Sequence, residues 1–349
     1  MLAKSDCKHN LLRAYFKKID MINKKKYSVT AIGNAMLDVL CEVSDQFLVK
    51  ETMSKGTMNL VSRERSNYIL KLIQPIKETA GGSAANTIST LAKLGLNTGY
   101  IGKIANDPKG KLFKKDMLDN SIFYNTKFLD KNNSEATGKC IVLITPDKER
   151  TMNTYLGATE FLTEIDIDEE LIAQSDWLYL EGYRFDGKKS KEAFYKAIEI
   201  AKKNDTKIAV TLSDSFCVDR HRSDFINLLN TSADTVFCNE EELKSLYQIE
   251  DIRMAQNLIA KNISCLACTC AEKGAYLFHE SSITKISTNE VPVIDTTGAG
   301  DNFAAGFLYG LSKNFTLKDC ASFGNLIAGE VLKVYGPRIE KSLKNFIVD

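Results

Sequence analysis

The chain has 349 residues, of which 44% are hydrophobic and 26% charged, an ordinary composition for a folded protein with a sizeable core. Lys and Arg number 46 against 45 Asp and Glu, so the formal net charge of +1 points to a small-molecule partner and away from nucleic acid or an anionic membrane. No apolar run approaches the ~20 residues needed to cross a bilayer, and nine cysteines without regular spacing read as reduced thiols of a cytoplasmic protein.

Residues 1–26 are basic, with Lys4, Lys8, Arg13, Lys17, Lys18, Lys24, Lys25 and Lys26 against Asp6 and Asp20. They read as a dispensable extension without a signal-peptide core, and Met21 offers an alternative start. The first strand, 27–32, ends in Gly33 and Asn34 and is followed by Met36, Leu37, Asp38, Val39 and Leu40. Asn34 and Asp38 are polar residues at a strand end, where α/β sheets bind ligands; they read equally as substrate-holding groups or as a turn and a cap. A short strand at 57–62 and a helix at 63–72 come next. GGSAAN at 81–86 then opens a helix running to Leu94, its small residues letting a ligand approach and Asn86 presenting an amide.

A strand at 98–102, a helix at 111–118 and three strands at 123–128, 140–145 and 151–155 follow, the last three without helices between. Such a β-rich insert suggests a lid, with strands from about 38–62 and 123–155, on a body spanning 27–349. Alternation then resumes, with strands at 177–180, 207–212 and 235–238 and helices at 191–203, 222–229 and 240–247. This rhythm predicts a parallel sheet covered on both faces. Tyr183 and Phe185, just past the strand at 177–180, offer rings for a purine to stack on or simply pack against the lid; Arg184 between them suits a sugar phosphate. Strands at 263–269 and 275–279 follow, and Cys265, Cys268 and Cys270, in and just past the first, read as core filling more than as a metal site. A helix at 317–333 closes the chain.

The stretch DTTGAGDNFAAG, 295–306, places a flexible turn, a helix start and a carboxylate in succession. Val291, Val293 and Ile294 suggest a strand before it, and Phe303, Phe307, Leu308 and Leu311 recur at helical spacing after it. Gly298 and Gly300 leave room for a ligand, and the first helical N–H groups, lacking intrahelical partners, attract anions. Asp301 beside such an anion suits a base that takes a proton from an attacking hydroxyl, or serves as an ordinary helix cap. Other phosphate motifs fail: Gly182 to Lys188 approaches a Walker loop, but Lys189 stands where a Ser or Thr is required. Gly33 lacks the further glycines of a dinucleotide fingerprint, and no protein-kinase catalytic loop is present.

Four phrases coincide in order: GNAMLD at 33–38, GGSAAN at 81–86, NEEE at 239–242 and DTTGAGD at 295–301. Together they resemble the ribokinase family of PfkB-type carbohydrate and nucleoside kinases over about residues 27–336. RTMNTYLGA and TLSDSFCVDRHR resemble its bacterial adenosine kinase-like branch. The resemblance implies a ribokinase-like three-layer α/β fold, with a mainly parallel central sheet, helices on both faces and a small β lid. It also implies a kinase using ATP and Mg²⁺, acting as a monomer or homodimer. Asp301 matches the catalytic base, and the backbone of Gly298, Ala299 and Gly300 the anion hole. Asn34, Asp38, Gly82 and Asn86 match positions that hold sugar hydroxyls, and Tyr183 joins them if the acceptor carries a base. Asn239 and Glu242 match the pair that organises Mg²⁺ and phosphate, Glu242 acting through water; NEEE by itself reads as a solvated helix start. Arg150 matches a lid arginine that neutralises phosphate. Thr269 and Gly274 match the nucleotide lining, Asn325 approaches the base, and Asp295 and Thr297 resemble positions near a monovalent cation. One departure stands out: Ala271 replaces a glycine that usually lines the nucleotide. Adenosine, with a place in purine salvage, is the leading acceptor. A sugar or sugar phosphate is the alternative, and a silent nucleotide-binding regulator the third reading, against which an intact Asp301 argues.

Overall fold

The computed structural model describes residues 25–259 and 261–347, so the basic extension up to residue 24 lies outside the described residues. Eight strands form the main sheet: β1 (Tyr27–Ile32), β5 (Thr98–Ile101), β8 (Ser175–Glu181), β9 (Lys207–Thr211), β10 (Thr235–Asn239), β11 (Cys265–Thr269), β12 (Ala275–His279) and β13 (Ser282–Ile286). Their order is β13-β12-β11-β10-β9-β8-β1-β5, parallel from β11 to β5 and antiparallel at β12 and β13.

Alternate residues of these strands feed two different cores, which is why the strands read as nearly unbroken apolar runs. In β8, Leu178 and Leu180 join the core under the helices Lys188–Lys203, Ser215–Thr231 and Glu240–Tyr247, while Trp177 and Tyr179 join the opposite one. The second core lies under the helices Ser83–Lys93, Pro108–Asp119, Ala299–Ser312 and Leu317–Val331. The last two pack glycine to glycine: a Cβ on Gly306 would sit 2.8 Å from the Gly324 Cα. The outcome is a three-layer α/β fold, a mainly parallel sheet with helices on both faces.

A second sheet holds β2 (Met36–Glu42), β3 (Met58–Leu60), β4 (Lys77–Gly81), β6 (Gly138–Ile144) and β7 (Arg150–Tyr155), in the order β3-β7-β6-β2-β4. Val39, Cys41, Ile141 and Leu143 pack on Leu48 and Ile69 of two covering helices, Asp45–Lys50 and Arg63–Leu72. Met36 and Leu40 point the other way with Cys140 and Val142, and by the two-residue period Asp38 shares their face.

Several expectations need correction. Asp38 lies within β2, paired with Thr79 and Cys140, and not at a strand end. Residues 123–128 do alternate buried and exposed, yet among them only Phe123 makes a bridge, to Gly99 of the main sheet. They contribute no strand to the second sheet, whereas β4, outside the expected 38–62, does. No strand precedes the glycine turn, because Pro292 lacks an N–H and Val293 and Ile294 are exposed. The helix expected at 222–229 is longer, Ser215–Thr231, and kinked at His221. Lys25 belongs to the folded body: its Nζ donates to Ser175 O (2.9 Å), Asn204 O (2.8 Å) and Thr206 Oγ1 (2.8 Å). No helix among the described residues is long and apolar enough to cross a membrane.

Candidate active site

The Ala299–Ser312 helix starts at Gly298, whose φ of +77° and contact with Pro337, 2.6 Å from an added Cβ, admit no side chain. No side chain caps this helix, so its first N–H groups keep their attraction for an anion. Gly300 is exposed, and a Cβ there would meet nothing within 4 Å. An open space therefore faces the helix start. Asp301 follows, its Oδ1 accepting from Ser83 Oγ at 2.6 Å and its Oδ2 from Asn86 Nδ2 at 2.9 Å. Burial raises the Asp301 pKa, while those two hydrogen bonds and the charges of Arg150 and Arg338 pull it back.

Ser83 and Asn86 are held by a helix that begins at Gly82, where φ is +97° and an added Cβ would lie 1.9 Å from Asn34 O. Asn34 donates its N–H to Glu181 Oε1 (3.1 Å), and its Oδ1 accepts from Arg184 Nη1 (2.7 Å) and Thr159 Oγ1 (3.2 Å). Glu181, fully buried at the end of β8, also accepts from Ala84 N at 2.8 Å. Burial pushes the Glu181 carboxyl up to about 7, against the pull of these two N–H groups. Asp38 is likewise pushed up to about 7 by burial, with the Arg338 charge opposing and Asp301, Glu181 and Asp295 adding to the rise. Its carboxylate lies against Gly81, where an added Cβ would come within 2.1–2.4 Å of it.

Glu242 and Asn239 form a reciprocal cap: Glu242 N–H donates to Asn239 Oδ1 (2.8 Å), and Asn239 N and Nδ2 donate to the Glu242 carboxylate (3.1 and 2.6 Å). Burial pushes Glu242 up to about 8, with Asp214 and Asp301 adding to the rise. Asp214 caps the Ser215–Thr231 helix through Oδ1, and the Tyr183 hydroxyl lies against its carboxylate. The Asp214 charge lies close enough to raise Glu242, so these two carboxylates would be the pair to face a divalent cation through water, although among the described residues no cluster of three metal-type side chains forms.

The remaining expected residues divide. Tyr183 lies beside the carboxylate pair, its hydroxyl donating to Ser213 O at 3.3 Å, whereas Asn34 and Asp38 belong to the other half of the site. Phe185 is no stacking ring; it is 1% exposed and packs edge-on against Phe194 and Phe225. Arg184 is buried on Asn34 and Ser190, so it is not free to grip a phosphate. Arg150 starts β7 and sends its charge toward Asp301. Thr269 ends β11, and Gly274 admits no side chain, since its φ is +89° and an added Cβ would lie 2.1 Å from Ile286 O. Ala271 sits at φ +46°, where glycine is favoured. Asn325 commits its Nδ2 to Ile286 O and Ser287 O. Asp295 accepts from Thr297 N, Thr297 Oγ1 and Gly336 N, so protein donors already fill it. Cys265, Cys268 and Cys270 are buried free thiols. Sequence reasoning missed Glu181, Asp214 and Arg338; a charged residue closing the apolar run WLYLE was the available signal for Glu181.

Asp38, Glu181 and Glu242 share a consequence for stability. Each keeps its proton longer in the folded chain than in the unfolded one, so stability is highest at low pH within this window. It falls as pH rises from about 4 toward about 8. Urea unfolding is expected to give a stability at least about 1 kcal/mol lower near pH 8.5 than near pH 5, with Mg²⁺ narrowing the gap. A flat profile would contradict burial as the dominant influence on these three carboxyls.

The pfkB family carbohydrate kinase model matches residues 51–343. A 5-dehydro-2-deoxygluconokinase of Bacillus licheniformis is 25% identical over 88% of this chain and 91% of its own length. Its Listeria innocua counterpart is 28% identical over 89% and 91%. Among solved structures, the adenosine kinase from Sinorhizobium meliloti is 38% identical, with a TM-score of 0.88 covering 92% of this chain and 98% of that one. A probable sugar kinase from Rhizobium etli is 37% identical, with a TM-score of 0.89 over the same shares.

Proposed function

The chain belongs to the pfkB carbohydrate kinase family, and from that premise we propose that it transfers a phosphoryl group from ATP to the primary hydroxyl of a ribosyl acceptor, adenosine foremost. The observation that carries this reading is the Asp301 carboxylate, held by Ser83 and Asn86 next to an open helix start. Asp301 takes the proton from the acceptor hydroxyl, and the N–H groups following Gly298 hold the charge that develops on the phosphoryl oxygens. Arg150, from the second sheet, adds a positive charge over the same point, so that sheet acts as the lid. Mg²⁺ on Glu242 and Asp214 would supply charge neutralisation of the phosphates. Asp38 and the Asn34 neighbourhood hold the acceptor. The Asp295 loop closes on protein donors, and we assign it to structure and not to a monovalent cation.

Two considerations favour a neutral nucleoside over an anionic sugar. Asp38, Glu181 and Asp301 crowd one side of the site, where a further carboxylate or phosphate meets repulsion. Arg184, the residue best suited to a sugar phosphate, is already committed. The second reading, a sugar kinase, rests on the names of the Bacillus and Listeria relatives. A panel of adenosine, inosine, guanosine, cytidine, ribose, fructose, fructose phosphates and 5-dehydro-2-deoxygluconate with ATP and Mg²⁺ decides between them. Adenosine is expected to give the highest kcat/KM; a preference for any sugar, sugar acid or sugar phosphate would overturn the acceptor while leaving the kinase.

A further inference from the structure

After the last long helix the chain returns over the site as a strap. Gly336 N–H donates to Asp295 Oδ2 at 2.7 Å, Pro337 O accepts from Asn302 Nδ2 at 3.1 Å, and Tyr335 O accepts from Lys77 Nζ at 3.1 Å. Directly after these anchors Arg338 turns inward and is 5% exposed. Its Nε donates to Ala80 O at 3.1 Å and to Asn86 Oδ1 at 2.9 Å. Its Nη1 lies 3.5 Å from Asp116 Oδ2, and neither Nη atom has a hydrogen-bond partner.

We propose that Arg338 is a positioning residue for phosphoryl transfer, fixing the Asn86 amide so that its NH₂ group orients the Asp301 carboxylate. The inference rests on Asp301 being the base. Guanidinium groups only donate, so the atom of Asn86 facing Arg338 must be its oxygen, and the NH₂ is left for Asp301 Oδ2. The reverse amide orientation sets oxygen against carboxylate and NH₂ against guanidinium, two unfavourable contacts in a buried place. One residue thus decides which way the amide points. The strap supplies the rigidity, since it is tied to Asp295 and to Asn302 of the base's own helix. Ser83 holds the other carboxylate oxygen, so Asp301 is clamped from both sides.

The test compares Arg338→Met, Arg338→Lys, Asn86→Ala and the double variant Asn86→Ala/Arg338→Met, measuring kcat, both KM values and ATP affinity by calorimetry. Arg338→Met is expected to lose at least ~10-fold in kcat with ATP affinity changed by less than about threefold. Arg338→Lys, which can still donate to Asn86 Oδ1, is expected to recover part of the loss. The double variant should turn over no more slowly than Asn86→Ala alone, because Arg338 acts through that amide. Normal kcat in Arg338→Met, fully multiplicative losses in the double variant, or loss of ATP affinity in step with kcat would each overturn the proposal. If Arg338→Met fails to fold, Arg338→Lys decides: loss in kcat alone supports positioning, and unchanged kcat or equal loss of ATP affinity refutes it. Failure of the kinase reading is distinguishable, since it shows as absence of transfer by the unaltered chain.

Discussion

Asp301→Asn is expected to lower kcat by at least ~10²-fold while changing ATP affinity by less than about threefold. The substitution keeps the size of the side chain and removes the atom that takes the proton. It also unsettles the local bonding, because Ser83 Oγ and Asn86 Nδ2 both donate to this carboxylate and an amide can accept through one oxygen only. A compensating gain comes from the neighbours. Asp301 is one of the charges that raise Asp38, Glu181 and Glu242, so neutralising it relieves repulsion on all three. The variant is therefore expected to melt near the original temperature, which separates loss of chemistry from loss of fold. Near-normal turnover would remove Asp301 from the mechanism.

Gly300→Ala is expected to cost at least ~10-fold in turnover with no loss of stability. A Cβ at Gly300 meets no protein atom within 4 Å, and the residue, second in its helix, has a φ outside the positive range, so alanine is admitted without strain and with less freedom to lose on folding. On protein grounds alone the change stabilises. The methyl group would instead fill the space in front of the helix start, where the transferring phosphoryl has to lie. Gly298→Ala is the contrasting control, since its Cβ strikes Pro337 and its φ is positive; it should lower both stability and activity. Unchanged turnover in Gly300→Ala would show that no phosphoryl group seats there.

Much of this was legible in the sequence because the signals were local. The glycine turn before Asp301, the helix start at NEEE and the strand–helix rhythm each depend on neighbouring residues. What was not legible depends on distant ones. Asp38 looked like a strand-end residue because nothing in GNAMLD says that the chain crosses at once into a second sheet. Phe185 looked like a stacking ring because its burial against Phe194 and Phe225 is set by two later helices. Asn86 was read as an amide for the substrate, whereas its two ends are taken by Asp301 and by Arg338, a residue 252 positions away. The segment 123–128 carries a strand's alternation, but a strand also needs a partner along its length, and sequence period does not supply one.

The central claim is that the chain moves a phosphoryl group from ATP onto an acceptor hydroxyl by way of Asp301. The most direct measurement follows phosphorus by NMR in a mixture of the chain, ATP, Mg²⁺ and adenosine, beside the same mixture with Asp301→Asn. The account predicts that ADP and adenosine 5′-phosphate appear in equal amounts with the unaltered chain and at least ~10²-fold more slowly with the variant. Release of inorganic phosphate without a phosphorylated acceptor, or equal rates in the two mixtures, would contradict it.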